Sequence, residues 1–252
     1  MHKVALVTGA NRGIGLAIVK RLLSEDIFVY AATRDVLSYP LVDISSQYSK
    51  NLRVESLDVG NRQSILKLSW SIRKRHGGVD ILVNNAGVYL DNPRKVSYSS
   101  ITDIDLSVFD LSMGINVFGP LTLISEFLPA MKKRNYGRIV NISSGMGRFD
   151  DMNIEGPFYR ISKAALNALT KVVSSDVKDY NILVNSVCPG WVRTDMGGEK
   201  APIAPDDAAI DIVWACLLPS GGPSGLFFRN RKILDWCKKQ ECKDQPFEHG
   251  VK

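Results

Sequence analysis

Tyr159 and Lys163 stand four residues apart, so on a helix they share one face. A phenol beside an ammonium group gives up its proton more readily than a free phenol, because the cation favours the phenolate. Far upstream, the run Val4-Ala5-Leu6-Val7-Thr8 leads into glycines at positions 9, 13 and 15. That pattern reads as a buried strand, a glycine turn and a helix start, the arrangement that holds a dinucleotide pyrophosphate on backbone N–H groups. A cofactor cradle combined with a tuned proton donor implies hydride transfer to a carbonyl.

Alternating elements must bring these residues together. Apolar runs predict strands at residues 3–8, 27–32, 52–57, 79–83, 137–142, 182–187 and 225–228. Helical patterns fall at residues 14–24, 63–75, 106–134, 158–178 and 206–218, with Pro120 expected to kink or interrupt the third. Strands that alternate with helices imply a parallel sheet covered on both faces. The glycine turn and the Tyr/Lys pair must meet around one ligand, so one domain is expected over residues 1–252. Residues 88–103 and 190–205 lack periodicity and carry Pro, Ser or Gly. Loops of this length in a compact domain are often functional, and 190–205 is expected to form a substrate lid. The polar stretch 238–252 reads as a flexible tail.

Composition narrows the class. The 252 residues are 45% apolar, ordinary for a globular chain with a sizeable core. No apolar run approaches the about 18 residues of a membrane helix, and with a strand already at residues 4–7 no cleavable signal peptide is expected. No membrane association is expected. Cys188, Cys216, Cys237 and Cys242 form no Cys-x-x-Cys pair, and with only His2, His76 and His249 they give no metal constellation. Free thiols fit a reducing cytoplasmic location. The net charge is +6. Its clusters at residues 73–75, 132–134 and 229–232 are dispersed, and the first two sit near helix C-terminal ends, where cations are favoured. A solvated basic surface, with no nucleic-acid partner, is the expectation.

The glycines at 9, 13 and 15 do not follow the commonest Gly-x-Gly-x-x-Gly fingerprint. Other motifs follow in order: Asn84-Asn85-Ala86-Gly87 after the fourth strand, Asn116 in the next helix, and Ile139-Val140-Asn141-Ile142-Ser143-Ser144 at the fifth strand. Tyr159-Arg160-Ile161-Ser162-Lys163 opens a helix, and Cys188-Pro189-Gly190-Trp191-Val192-Arg193-Thr194-Asp195 follows the sixth strand. Each residue alone is ordinary; a single Tyr on an amphipathic helix usually packs in a core. Together and in this order they resemble the classical short-chain dehydrogenases/reductases over residues 3–235. Within that family, Pro189 to Gly198 and the ending Gly225-Leu226-Phe227-Phe228-Arg229-Asn230-Arg231-Lys232 are most similar to the carbonyl-reductase-like branch.

The resemblance implies a single doubly wound, Rossmann-like α/β domain with a seven-stranded parallel sheet. It implies an NADPH-dependent oxidoreductase that converts a carbonyl, in an aldehyde, ketone or quinone, to the alcohol. Tyr159 would be the general acid and Lys163 its electrostatic support and a ribose ligand. Ser144, the second serine of its pair as in the family, would bond the substrate oxygen, and Asn116 would hold a water relaying protons to Lys163. Cofactor contacts would come from Gly9, Asn11, Arg12, Gly13, Ile14 and Gly15, from Asp58 and Val59 around the adenine, and from Asn85, Ala86 and Gly87. Tyr159 and Lys163 would touch it too, as would Pro189, Gly190, Val192 and Thr194, the last on the nicotinamide carboxamide. An acidic residue at the end of the second strand would repel a 2′-phosphate; here Arg34 offers a charged fork instead, with Arg12 as a second cation and Asp35 as a neighbour of opposite sign.

Monomeric carbonyl reductases of this branch carry a long insertion before the catalytic Tyr. Here Tyr159 follows Ser144 by 15 positions, so homodimer, homotetramer and monomer all stay open. Met146, Phe149, Met152 and Phe158 between them suggest a small hydrophobic carbonyl substrate. Two alternatives stand beside this reading: a 3-oxoacyl carrier-protein reductase, and a non-catalytic NADP(H)-binding regulator.

Overall fold

In the computed structural model, which describes residues 2–94, 96 and 98–237, the first strand sets the plan. All five residues of β1 (Val4–Thr8) are buried, and their side chains feed two cores in alternation. Ala5 and Val7 pack with Ile18, Leu22 and Val213; Val4 and Leu6 pack with Leu68, Leu123 and Phe127. This double burial is why the strand reads as an unbroken apolar run.

The first face is covered by α1 (Gly13–Ser24), α2 (Tyr39–Gln47) and α7 (Pro205–Cys216). The second is covered by α3 (Arg62–His76), α5 (Gly119–Arg134) and α6 (Pro157–Asp176), with α4 (Leu106–Met113) packed against α6. The remaining strands are β2 (Phe28–Thr33), β3 (Leu52–Ser56), β4 (Ile81–Asn84), β5 (Gly137–Ile142), β6 (Ile182–Val187), β7 (Phe227–Arg229) and β8 (Lys232–Ile233). Their spatial order is β3-β2-β1-β4-β5-β6-β7-β8. Seven strands run parallel, with Leu6 opposite Tyr30 on one side of β1 and Leu82 on the other. The strand order reverses between β1 and β4. In such sheets a crevice opens there, beyond the carboxyl ends of the strands.

The seven expected parallel strands are present, and an eighth, antiparallel strand extends the sheet. Asn230 and Arg231 both hold positive φ, 51° and 59°, as a two-residue hairpin turn requires. The chain folds back so that Arg229 pairs with Lys232, antiparallel. Without a glycine in the turn, the sequence carried no hairpin signal. Helix α2 was also unforeseen, because only Leu41 and Ile44 are buried along its length and two apolar residues make no clear stripe. The expected helix at 106–134 is interrupted by a π turn at Gly114–Phe118, after which Pro120 stands in the first turn of α5. By length and composition the stretch Leu106–Arg134 could cross a membrane. Its Leu123, Ile124, Phe127 and Met131 instead fill the core beneath the sheet. The tail 238–252 and Cys242 lie outside the described residues.

At the end of β1 the glycines serve close packing. Gly9 has φ +64°, and a Cβ on Gly15 would sit 2.1 Å from the Gly9 carbonyl oxygen and 2.6 Å from Asn85 Nδ2. Neither neighbour can retreat, since the Asn85 amide itself donates to the Thr8 and Gly9 carbonyls at 2.8 and 3.1 Å. Gly15→Ala is therefore expected to destabilise the fold by roughly 1–3 kcal/mol through overpacking. Thermal unfolding of the variant checks this, and an unchanged Tm would refute the packing argument.

Candidate active site

Gly9, Asn11, Arg12, Gly13, Ile14 and Gly15 form one wall of a cleft of about 1140 Å³ at the carboxyl ends of the strands. Arg34, Asp58 and Val59 line its outer end, and Asn85, Ala86 and Gly87 its floor. Ser144, Tyr159 and Lys163 face it from the β5 side, and Pro189, Gly190, Val192 and Thr194 from the segment after β6. Every residue expected in the site lines this cleft except Asn116.

Asn116 lies behind it, buried. Its Oδ1 accepts from the Val88 N–H at 2.8 Å, while Nδ2 donates to the Val88 carbonyl and to Ser162 Oγ, both at 2.9 Å. The side chain is thus occupied in clamping the start of the 88–103 segment to α6.

Tyr159 and Lys163 lie in the first two turns of α6, both buried. The N-cap residue Gly156 sits at φ +67° and offers no side chain to the helix end. Asp91 supplies the missing cap from a distance. Fully buried, its carboxylate accepts the Phe158 N–H at 2.6 Å and the Tyr159 N–H at 3.3 Å. Nothing in the sequence spacing marks this role, since Asp91 is more than sixty positions from the helix it caps. Tyr89 is a second residue without a sequence signal. Its ring stacks on that of Tyr159, with centroids 4.2 Å apart and planes inclined by 21°.

The Ser144 hydroxyl hydrogen-bonds the Tyr159 phenol and also accepts the Met146 N–H at 3.2 Å. Ser143, by contrast, turns inward and donates to the Lys163 carbonyl at 3.4 Å. Lys163 Nζ donates to the Ile142 carbonyl at 2.8 Å and lies 5.5 Å from the centre of the Tyr159 ring. Burial dominates both groups. It pushes the phenol well above its ordinary value, against the opposing pull of the Ser144 hydrogen bond, and it pushes the Lys163 ammonium down to about 8. Space for this pair comes from Gly87, where a Cβ would lie 3.2 Å from Asn116 Oδ1 and 3.5 Å from Lys163 Nζ.

At the other end of the cleft Arg34 is exposed and faces in. Its neighbour Asp35 turns back on its own loop, accepting the Leu37 N–H at 3.3 Å. Arg12 is engaged by Asp195 at 2.5 Å, both side chains largely exposed. The segment carrying Asp195 is braced on itself. Val192 and Ile203 form a bridge, and Trp191 Nε1 donates to the Gly197 carbonyl at 2.8 Å. Arg94 reaches across from the opposite rim to the carbonyls of Met196 and Gly197.

A cleft at the strand-order reversal, with a glycine turn at one end and a buried hydroxyl–phenol–ammonium set at the other, can hold a dinucleotide beside a group poised to give a proton. Comparison with known proteins gives the family. Residues 3–203 match the short chain dehydrogenase family. Carbonyl reductase (NADPH) 1 of Sus scrofa is 32% identical, covering 93% of this chain and 94% of that protein. The protein of the same name from Homo sapiens is 33% identical, covering 92% and 98%. The crystal structure of NADPH-bound carbonyl reductase from chicken fatty liver aligns with a TM-score of 0.81 at 31% identity, over 93% of this chain and 99% of that one. The chain belongs to the short-chain dehydrogenase family.

Proposed function

We propose that this protein is an NADPH-dependent carbonyl reductase in which Tyr159 protonates the substrate oxygen. The observation that carries the reading is the buried set of Ser144, Tyr159 and Lys163 at the inner end of a cleft whose outer end carries arginine where a 2′-phosphate would lie.

The residues present fit the dinucleotide. Gly9 and Gly13 hold positive φ, and Gly13 carries no side chain between the turn and Thr194, whose Cγ2 would be 3.1 Å from a Cβ there. Arg34 and Arg12 supply two cations at the outer rim. NADPH, when bound, supplies the hydride. Ser144 Oγ–H would hold the carbonyl oxygen and stabilise the negative charge that develops on it. The Tyr159 O–H would then pass its proton to that oxygen. Because burial keeps the phenol protonated through the neutral range, the acid is loaded when substrate arrives. The Lys163 ammonium would stabilise the phenolate left behind. Residues 190–205 would act as the lid, joined to the glycine turn by Arg12–Asp195 and to the opposite rim by Arg94.

Two variants test the cofactor side. Arg34→Ala is expected to weaken NADPH binding about tenfold or more, the loss of a charge-assisted hydrogen bond, with NADH nearly unchanged. Asp195→Asn frees Arg12 from an exposed ion pair and is expected to tighten NADPH by no more than about fivefold. Titration of both cofactors decides it; equal effects on NADH and NADPH would sink the assignment.

For the chemistry, Tyr159→Phe keeps the ring and its stacking on Tyr89 but removes the proton. NADPH binding should survive, while turnover of aldehydes and ketones should fall by about 10²–10⁴. Near-normal turnover would make Tyr159 structural.

The pH profile reports on Lys163. Below about 8 its amine is charged and supports the phenolate; above that it is neutral and the support is lost. Reduction should therefore decline as pH rises through about 8, with no matching loss from Tyr159, whose pKa lies higher still. Lys163→Arg, which stays charged, should move the alkaline limb upward if it folds. An unmoved limb in an active variant would assign it to another group.

A further inference from the structure

We propose that Arg229 selects carbonyl substrates that carry an anionic group, a carboxylate above all, at the end remote from the reacting carbon. The inference rests on the carbonyl-reductase reading and extends it to substrate class.

Arg229 is the last residue of β7 and lines the cleft on its substrate side, together with Met146, Met152 and Trp191. Its guanidinium lies flat against Gly145, the residue after Ser144. A Cβ on Gly145 would be 3.6 Å from Nη2 and 3.8 Å from both Cζ and Nη1. Near-equal distances to three atoms mean that the plane faces the glycine. Its N–H edges are then directed sideways, where a planar acceptor can engage two of them together.

Arg193, Asp150 and Asp151 also line the cleft, but several neighbouring arginines are already engaged. Arg148 pairs with Asp150 and Asp151, each at 3.3 Å. Arg160 donates to the Glu155 and Asp151 carbonyls at 2.7 and 2.5 Å. Arg94 is committed to the carbonyls of the 190–205 segment. Even Arg231, two residues along the same hairpin, is held by Asp211 at 3.1 Å. Among the described residues, no carboxylate or carbonyl is seen to engage the Arg229 guanidinium. The backbone beneath it is firmly placed. Arg229 pairs with Lys232 of β8, and the preceding Phe228 carbonyl accepts the Cys188 N–H at 2.8 Å. A cation on a firmly placed strand end, against the residue after Ser144 and beside two methionines and a tryptophan, matches a molecule with an apolar body between its carbonyl and its charge.

The test compares 4-formylbenzoate with its methyl ester, which share ring and aldehyde but differ in charge. With NADPH, the wild-type enzyme is expected to favour the acid in kcat/KM. Arg229→Leu should raise KM for the acid by about tenfold while leaving the ester and the Tm unchanged, and Arg229→Lys should recover part of the loss. Equal changes for acid and ester, or none for either, would overturn the proposal. Quenching of tryptophan fluorescence in the NADPH-loaded protein by 4-formylbenzoate gives a readout that needs no turnover. Quenching by the acid that Arg229→Leu abolishes, with neither aldehyde reduced, would keep the anion site and refute carbonyl reduction. Quenching equal in wild type and Arg229→Leu would refute the anion site.

Discussion

The Thr8 hydroxyl holds the plan of this molecule together. β1 and β4 are adjacent in the sheet, yet the chain leaves them in opposite directions, and where it diverges the backbone loses its ladder partners. Thr8 Oγ1 accepts the N–H groups of Asn85 and Ala86, both at 3.0 Å, and donates to the Val83 carbonyl at 3.3 Å. The Asn85 amide returns two bonds to the carbonyls of Thr8 and Gly9. Buried backbone groups left without partners each cost on the order of 1–3 kcal/mol, so this exchange makes the crevice tolerable inside a folded protein. It also explains why Gly15 must pass so close to Gly9. The turn is drawn inward onto Asn85, and the first helix has to start against it. Asn85 therefore shapes the cradle from below as well as lining it.

A second layer of buried polar contacts fixes α6 relative to the sheet. Asn84 Nδ2 donates to Asn141 Oδ1, and Asn141 Nδ2 to Thr170 Oγ1, each at 2.8 Å. Thr170 in turn meets Ser186 at 2.7 Å. This chain of side chains runs from β4 through β5 to the middle of α6 and on to β6. Asp91 holds the helix at its start and Asn116 holds it at Ser162. A helix tied at three points cannot slide, so the two side chains on its inner face keep their register with Ser144. Hydrogen bonds in a low-dielectric interior favour one arrangement strongly because every alternative strands a polar group.

How much of this was legible in the sequence follows from the range of the forces involved. The strands and most helices were readable because burial on one or two faces writes itself as periodicity. The cleft residues were readable because glycine turns and the Ser, Tyr and Lys positions sit in short local motifs. What escaped depends on contacts between distant segments. Asp91 caps a helix that begins more than sixty residues later, and Tyr89 finds Tyr159 only after the chain has folded. Arg12 was readable as a cation within the glycine turn, but not as the partner of Asp195. The hairpin of β7 and β8 escaped for a local reason, since Asn230 and Arg231 take a turn that Asn-Gly would have announced.

Desolvation, more than charge pairing, sets the protonation of Tyr159 and Lys163 in the inner cleft. In the sequence, the four-residue spacing of Tyr159 and Lys163 suggests a cation that lowers a phenol. In the fold, the ammonium bonds the Ile142 carbonyl and is itself driven down by burial, while the phenol is driven up. The two shifts have opposite signs and one cause, because a low-dielectric site disfavours whichever form is charged. Their consequence is a neutral phenol that holds its proton and an ammonium close to releasing one. When the phenol loses its proton, the same low dielectric strengthens the attraction between phenolate and ammonium. In the proposed reaction the pair would be coupled most strongly in the state where charge has moved, which is where stabilisation lowers a barrier. Gly87 leaves room beside this pair, since even a Cβ there would press on Asn116 Oδ1 at 3.2 Å and touch Lys163 Nζ at 3.5 Å.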